Sequence, residues 1–147
     1  VYTPEGATAG YDTDFIAKAD AAVKALEGHD FVFLHLKATD LAGHDGDPEK
    51  KTEVLERIDK MLGHILKKIS LDKTVICFTS DHSTPCSVRD HSADPVPIVI
   101  AGTDVRLDYV KRFDELSATQ GALFKISGKD LFPILLDFMG RAKKYGA

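Results

Sequence analysis

Apolar side chains recur every three or four residues in two stretches of the chain, which is typical of amphipathic helices. The first helix is predicted to follow Asp12 or Thr13, either of which can cap it, and to end at Gly28. The second is longer, with Asp47 as its N-cap and Pro48 at the first helical position. The apolar face of the first helix comprises Ile16, Ala19, Val23 and Leu26. The apolar stripe of the second comprises Val54, Leu55, Ile58, Met61, Leu62, Ile65, Leu66 and Ile69.

Three short apolar runs, 31–36, 74–79 and 96–101, predict strands. The first is apolar at nearly every position, as expected for a parallel strand buried on both faces. The long helix between the first two strands predicts a right-handed crossover. The predicted class is therefore α/β, with a largely parallel sheet flanked by helices. A last helix is predicted over 130–139 with Pro133 in its first turn, whereas the preceding glycine-punctuated residues predict no clear element.

Composition limits the functional classes without choosing among them. The 147 residues fit one domain or a large piece of one, and the formal net charge of -4 gives no electrostatic reason to expect binding to nucleic acid or an anionic membrane. No run approaches the ~20 apolar residues that span a bilayer. Two cysteines do not make a disulfide framework, which favours an intracellular, cytoplasmic location. The chain opens at Val1 inside a predicted loop, so we expect it to be a fragment of a longer protein.

Aspartate and histidine cluster at the ends of the predicted strands. Two of them follow the first strand, two follow the second, and one lies in the loop before the third. In open α/β sheets, sites form beyond the carboxyl ends of the strands. Imidazole and carboxylate together suit zinc, manganese and related divalent ions. The residues predicted to bind metal are Asp40, His44, Asp81, His82 and His91.

Each of these residues has an ordinary alternative interpretation when it is taken alone. Asp40 could be a turn residue, and His44 and His91 could be solvated loop histidines. Asp81 could cap a helix, with His82 as its neighbour. Jointly this interpretation is poor, because all five residues fall at predicted strand ends.

Neighbouring residues refine the prediction. Gly43 is expected to let the backbone turn sharply between the first two ligands. Ser80 marks the end of the second strand, which would allow the adjacent aspartate and histidine both to reach metal. Lys37 and Arg89 could neutralise a substrate phosphate, or could be ordinary surface cations. The other histidines, His29, His35 and His64, are predicted to be structural or solvated.

All five predicted ligands lie in the segments 37–47, 79–86 and 90–97. These segments resemble the cofactor-independent phosphoglycerate mutases, above all their archaeal-type branch, which belongs to the alkaline phosphatase superfamily. Further likeness at 6–14, 128–131 and 144–147 extends the resemblance over essentially the whole chain.

The resemblance implies that Asp40, His44 and His91 hold one divalent metal and that Asp81 and His82 hold a second. Mn²⁺ is the metal expected first, with Zn²⁺, Co²⁺ and Mg²⁺ as alternatives. The fold would be alkaline phosphatase-like, with this chain as the C-terminal portion of that domain. The nucleophilic serine, a further aspartate ligand, several phosphate-binding arginines and a smaller inserted domain would lie in an upstream part.

The implied activity is an isomerase reaction of glycolysis and gluconeogenesis, which interconverts 3-phosphoglycerate and 2-phosphoglycerate through a phosphoserine. The expected partners are a small phosphorylated substrate and the missing N-terminal part of the protein. Other members of the superfamily, a phosphatase, phosphopentomutase or sulfatase, stay open as alternatives. So does an inert metal-binding fragment, because none of the serines in this chain lies where the family has its nucleophile.

Overall fold

A computed structural model describes residues 1–143, which divide into two compact units. The first unit contains residues 1–69 together with 82–93. The second contains residues 70–81 together with the described residues from 94 onward. The likeness noted at 144–147 lies outside the described residues.

Three helices build the first unit: α1 (Phe15–Ala25), α2 (Ala38–Asp45) and α3 (Pro48–Leu66). Both α1 and α2 pack against α3. The buried apolar side chains of this unit are Phe15, Ala19, Ala25, Ala38, Ala42, Val54, Ile58, Met61 and Ile65. Most of the buried residues on α1 and α2 are alanines, whereas those on α3 are larger, and this combination lets the helices approach closely.

The first predicted helix exists, but its cap and its face differ from the prediction. Asp14, not Asp12 or Thr13, caps α1, because its carboxylate accepts a hydrogen bond from the Ala17 backbone N–H at 2.8 Å. Thr13 is buried, and its hydroxyl oxygen instead accepts from a loop N–H. Ile16 is 42% exposed, so it lies off the core face that the spacing predicted.

The start of α3 is confirmed as predicted. Asp47 accepts a hydrogen bond from the Lys50 backbone N–H at 2.8 Å, and Pro48 opens the helix. The buried stripe is narrower than predicted, because Leu55 and Leu66 are 49% and 42% exposed.

Removing this cap gives a first test of the fold. We expect Asp47→Ala to lower the free energy of unfolding by about 1 kcal/mol, since the first turn of α3 loses a side-chain acceptor. Asp47→Asn keeps an equivalent acceptor and should stay close to the parent chain in urea unfolding. Equal unfolding midpoints for the alanine variant and the parent would contradict the capping role.

Residues 37–47, in which a sharp turn at Gly43 was expected, instead form α2 and its two ends. The helix ends at Gly46, whose φ of +69° is a conformation that glycine adopts without strain. The Tyr11 hydroxyl donates to the Asp45 carboxylate at this end. Burial and this hydrogen bond raise the pKa of Tyr11 to about 12, so it stays a neutral donor over the neutral pH range. The buried residues of α2 are alanine and glycine, so the sequence shows no stripe of large apolar side chains in this segment.

The strands of the second unit, β1 (Ile76–Thr79) and β2 (Ile98–Ala101), pair antiparallel, with Thr79 opposite Ile98. Their positions confirm two of the predicted strands, and β1 ends just before Ser80 as expected. The run 31–36 is not a strand in the structure, and Phe33 in it is 75% exposed. A strand needs a paired neighbouring strand, and in the sheet that the described residues form, β1 and β2 pair with each other. The α/β class stands, but the largely parallel sheet is not confirmed.

Two helices complete the second unit: α4 (Glu115–Ala118), which was not predicted, and α5 (Gly128–Phe138). The last predicted helix is thus confirmed, but it starts two residues earlier. The Asp130 carboxylate accepts from the Ser127 backbone N–H at 3.1 Å, which favours this earlier start. Pro133 was predicted to lie in the first turn, but because the helix starts at Gly128 it lies beyond that turn. Among residues 1–143, no helix has both the length and the apolar content needed to cross a bilayer.

Candidate metal centre

Helix α2 carries the first two predicted ligands on one face. Asp40 and His44 are four residues apart, and side chains at this spacing are neighbours on a helix surface. The Asp40 Oδ1 atom lies 3.4 Å from His44 Nε2. A helix, rather than the sharp turn that was expected at Gly43, therefore brings these two side chains together.

Gly43 has a different role from the predicted one. It is helical and buried, and a Cβ at this position would lie 2.3 Å from the backbone carbonyl oxygen of Thr84. Such a separation is too short for any side chain to be accommodated without backbone movement. The missing side chain therefore allows α2 to lie directly against the 82–93 segment.

His91 reaches the same point from that segment. Ser83 and Ser92 form an isolated antiparallel bridge, in which the Ser92 N–H donates to the Ser83 carbonyl at 3.0 Å. This bridge closes the loop and places His91 beside α2. The His91 Nε2 atom lies 3.5 Å from Asp40 Oδ1 and 3.3 Å from His44 Nε2.

The three ligand atoms form a nearly equilateral triangle with sides of 3.3, 3.4 and 3.5 Å. The centre of such a triangle lies about 2.0 Å from each corner, and metal–imidazole and metal–carboxylate bonds are about 2.0–2.2 Å long. The donor set of two imidazoles and one carboxylate suits zinc, manganese and similar ions. Asp40, His44 and His91 therefore fit a divalent metal in both geometry and chemistry.

A backbone carbonyl orients His44. The His44 Nδ1 atom lies 3.1 Å from the carbonyl oxygen of Arg89, which can only accept a hydrogen bond. The proton of the neutral ring is therefore on Nδ1, and the Nε2 lone pair points into the triangle. Arg89 has a φ of +60°, a strained conformation for a side chain of this size, which the surrounding loop must hold.

Asp40 is a carboxylate across the neutral pH range. Its burial acts to raise the pKa, but hydrogen bonds from Lys37 and Thr84 and the Lys37 charge outweigh this effect and lower it to about 2. The Lys37 Nζ atom lies 2.6 Å from Oδ2, and the Thr84 hydroxyl lies 2.7 Å from Oδ1. Lys37, predicted to bind substrate, is thus an ion-pair partner of the predicted metal ligand Asp40 in this structure, and its role toward substrate stays a prediction.

The other predicted site residues do not form corners of this triangle. The His82 ring packs against the His91 ring with 3.8 Å between centroids, so it adjoins the triangle without contributing a corner. Asp81 belongs to the second unit, and its role as a ligand of a second metal stays a prediction. The Arg89 side chain lies against Gly46, and its predicted contact with substrate is likewise untested.

Sequence reasoning missed two contributors to this centre. One is Thr84, which lies two residues after His82 and could have been suspected from that position alone. The other is the carbonyl of Arg89, which carries no sequence signal because every residue has one.

The sequence profile of the Metalloenzyme superfamily matches residues 1–138. The chain belongs to the metalloenzyme superfamily. Membership in the metalloenzyme superfamily and the converging triangle both support the use of a divalent metal.

Curated proteins similar to this superfamily member are named 2,3-bisphosphoglycerate-independent phosphoglycerate mutase. Those of Pyrococcus abyssi and Pyrococcus horikoshii are 54% identical over all 147 residues, and that of Methanococcus vannielii is 51% identical over 143. These relatives confirm the resemblance seen in the loop segments. The chain spans only about a third of their length, 36% in both Pyrococcus proteins.

The fold of this metalloenzyme superfamily member is also found in a solved structure of a protein from Pyrococcus horikoshii. That protein is 54% identical and superposes with a TM-score of 0.98. The match covers 100% of this chain and 44% of the solved chain.

Proposed function

We propose that this chain is the C-terminal part of a cofactor-independent phosphoglycerate mutase, which interconverts 3-phosphoglycerate and 2-phosphoglycerate. The observation that carries the proposal is the convergence of Asp40, His44 and His91 in a chain 54% identical to proteins of that name. In the longer protein, the apolar run 31–36 would join a larger, largely parallel sheet. The cytoplasmic location expected from the cysteine content belongs to the same proposal.

In this proposal two divalent ions are bound, with Mn²⁺ as the first candidate. Asp40, His44 and His91 would hold one ion, and Asp81 and His82 would contribute to the other. When bound, such a pair supplies positive charge that stabilises the attacking and leaving oxygens of an in-line phosphoryl displacement.

The remaining chemistry follows from a phosphoserine relay. A serine outside this chain would attack the phosphorus of 3-phosphoglycerate as the bond to the 3-oxygen breaks. The glycerate would turn within the site, and its 2-hydroxyl would attack the phosphoserine as the bond to serine breaks. Lys37 and Arg89 would offset the charge of the phosphate or carboxylate during this exchange. His44, oriented by the Arg89 carbonyl, would keep its place throughout both displacements.

The test uses the full-length protein that carries this chain, without added 2,3-bisphosphoglycerate. We expect ³¹P NMR to show conversion of 3-phosphoglycerate to 2-phosphoglycerate, which stops on treatment with EDTA and resumes with Mn²⁺. The isolated 147-residue chain should be inactive, because ligands to a metal cannot replace a nucleophile.

Two results would contradict the proposal. Release of inorganic phosphate in place of isomerisation would favour a phosphatase of the same superfamily. Conversion by the isolated chain, with its intact mass confirmed, would show that no upstream serine is required.

A further inference from the structure

Thr84 is a buried polar residue at the centre of the candidate site. Only 4% of its surface is exposed, and it lies between the predicted ligands His82 and His91 in the chain. Its hydroxyl oxygen lies 2.7 Å from Asp40 Oδ1 and 3.2 Å from His82 Nδ1. One hydroxyl therefore contacts a ligand from each of the two predicted metal sets.

The hydrogen-bonding capacity of these groups fixes the direction of both contacts. A hydroxyl has one hydrogen to donate, and a carboxylate can only accept, so the Thr84 hydrogen goes to Asp40. Toward His82 the same oxygen can then only accept, which requires the imidazole proton to be on Nδ1. The Nε2 atom of neutral His82 is left with its lone pair available to a metal.

The backbone of Thr84 also has contacts that fix its position. The Lys51 Nζ atom donates to the Thr84 carbonyl oxygen at 2.7 Å, from α3. The same carbonyl, and the Cβ and Cγ2 atoms of Thr84, lie against Gly43 of α2. Two helices thus fix the position from which the hydroxyl contacts Asp40 and His82.

We propose that Thr84 is a positioning residue that links the two predicted sets of metal ligands. Its hydroxyl holds Asp40 Oδ1 in place and fixes the tautomer of His82, so that Nε2 is the ligand atom of that ring. The tautomer of His44 is fixed in the same way, by the Arg89 carbonyl instead of a hydroxyl. The proposal rests on the proposed metal centre, but it does not depend on which phosphorylated substrate the protein uses. Groups that orient metal ligands in this way change metal affinity by about 10–100-fold when they are removed.

Substitutions of Thr84 in the full-length protein test the affinity. Thr84→Val keeps the shape and removes the hydroxyl, and we expect the Kd for Mn²⁺ from calorimetric titration to rise about 10–100-fold. Thr84→Ser keeps the hydroxyl and should restore most of the affinity. Thr52→Val is the matched control, because that hydroxyl bonds only to the Pro48 carbonyl on α3 in the described contacts. Unchanged affinity in Thr84→Val, or equally weak binding by Thr84→Ser, would overturn the proposal.

A second measurement is read on the parent protein and uses a variant only to assign signals. In the metal-free parent protein, the ¹⁵N signals of His82, assigned by their loss in His82→Gln, should report a proton on Nδ1. A proton on Nε2 would overturn the proposal. Neither measurement depends on turnover, so a protein that binds Mn²⁺ as expected but does not isomerise phosphoglycerate would refute the mutase and leave the role of Thr84 standing.

Discussion

Replacing His91 with alanine is expected to abolish tight binding of the metal held by the triangle. His91 supplies one of three corners, and its Nε2 atom lies 3.5 Å or less from both others. Loss of a group that only orients a ligand costs about 10–100-fold in metal affinity, so loss of the ligand itself should cost more. Elemental analysis after dialysis against limiting Mn²⁺ should show at least one ion fewer per molecule than in the parent.

The matched control is His64→Ala. His64 lies on α3, where its ring bonds to the Asp20 carboxylate at 2.7 Å, outside the triangle. Its removal should leave the metal content unchanged. If His91→Ala retained the parent metal content with an intact fold, His91 would not be a ligand.

The smallest substitution with a large expected effect is Gly43→Ala. The added Cβ would lie 2.3 Å from the Thr84 carbonyl oxygen and 2.8 Å from its Cγ2. That carbonyl cannot retreat freely, because Lys51 holds it. We expect the free energy of unfolding to fall by about 1–3 kcal/mol, as for other overpacked interiors. Metal affinity should fall too, since Asp40 and His44 are on the helix that must move.

Gly63→Ala provides the contrast within the same unit. Gly63 is in α3, and a Cβ there would meet no atom within 4 Å apart from its chain neighbours and the backbone of its own helix. Because alanine is the better helix former, this variant should gain about 0.5–1 kcal/mol in urea unfolding and bind metal as the parent does. If both variants were stabilised alike, the close contact between α2 and Thr84 would not constrain the site.

Features that depend on nearby residues were predictable from the sequence. Asp47 and Pro48 mark the start of α3 because a cap needs only the residues next to it. The buried stripe of α3 follows the helical repeat, which is also local. Helix α2 was missed because its buried face is made of alanine and glycine, which carry no apolar pattern. The run 31–36 was predicted as a strand because apolar composition does not report whether a neighbouring strand is present.

The features of the candidate site can be divided in the same way, into those that the sequence determines and those that depend on the fold. The sequence by itself determined which residue types could bind metal, the four-residue spacing of Asp40 and His44, and the family resemblance. Only the tertiary structure decided that His91, 47 residues after His44, meets them. It also decided which ring nitrogen of His44 faces the centre and that the Thr84 hydroxyl contacts both Asp40 and His82. The physical reason is that these contacts depend on distances between segments remote in sequence and on carbonyl and hydroxyl groups whose position no residue pattern specifies.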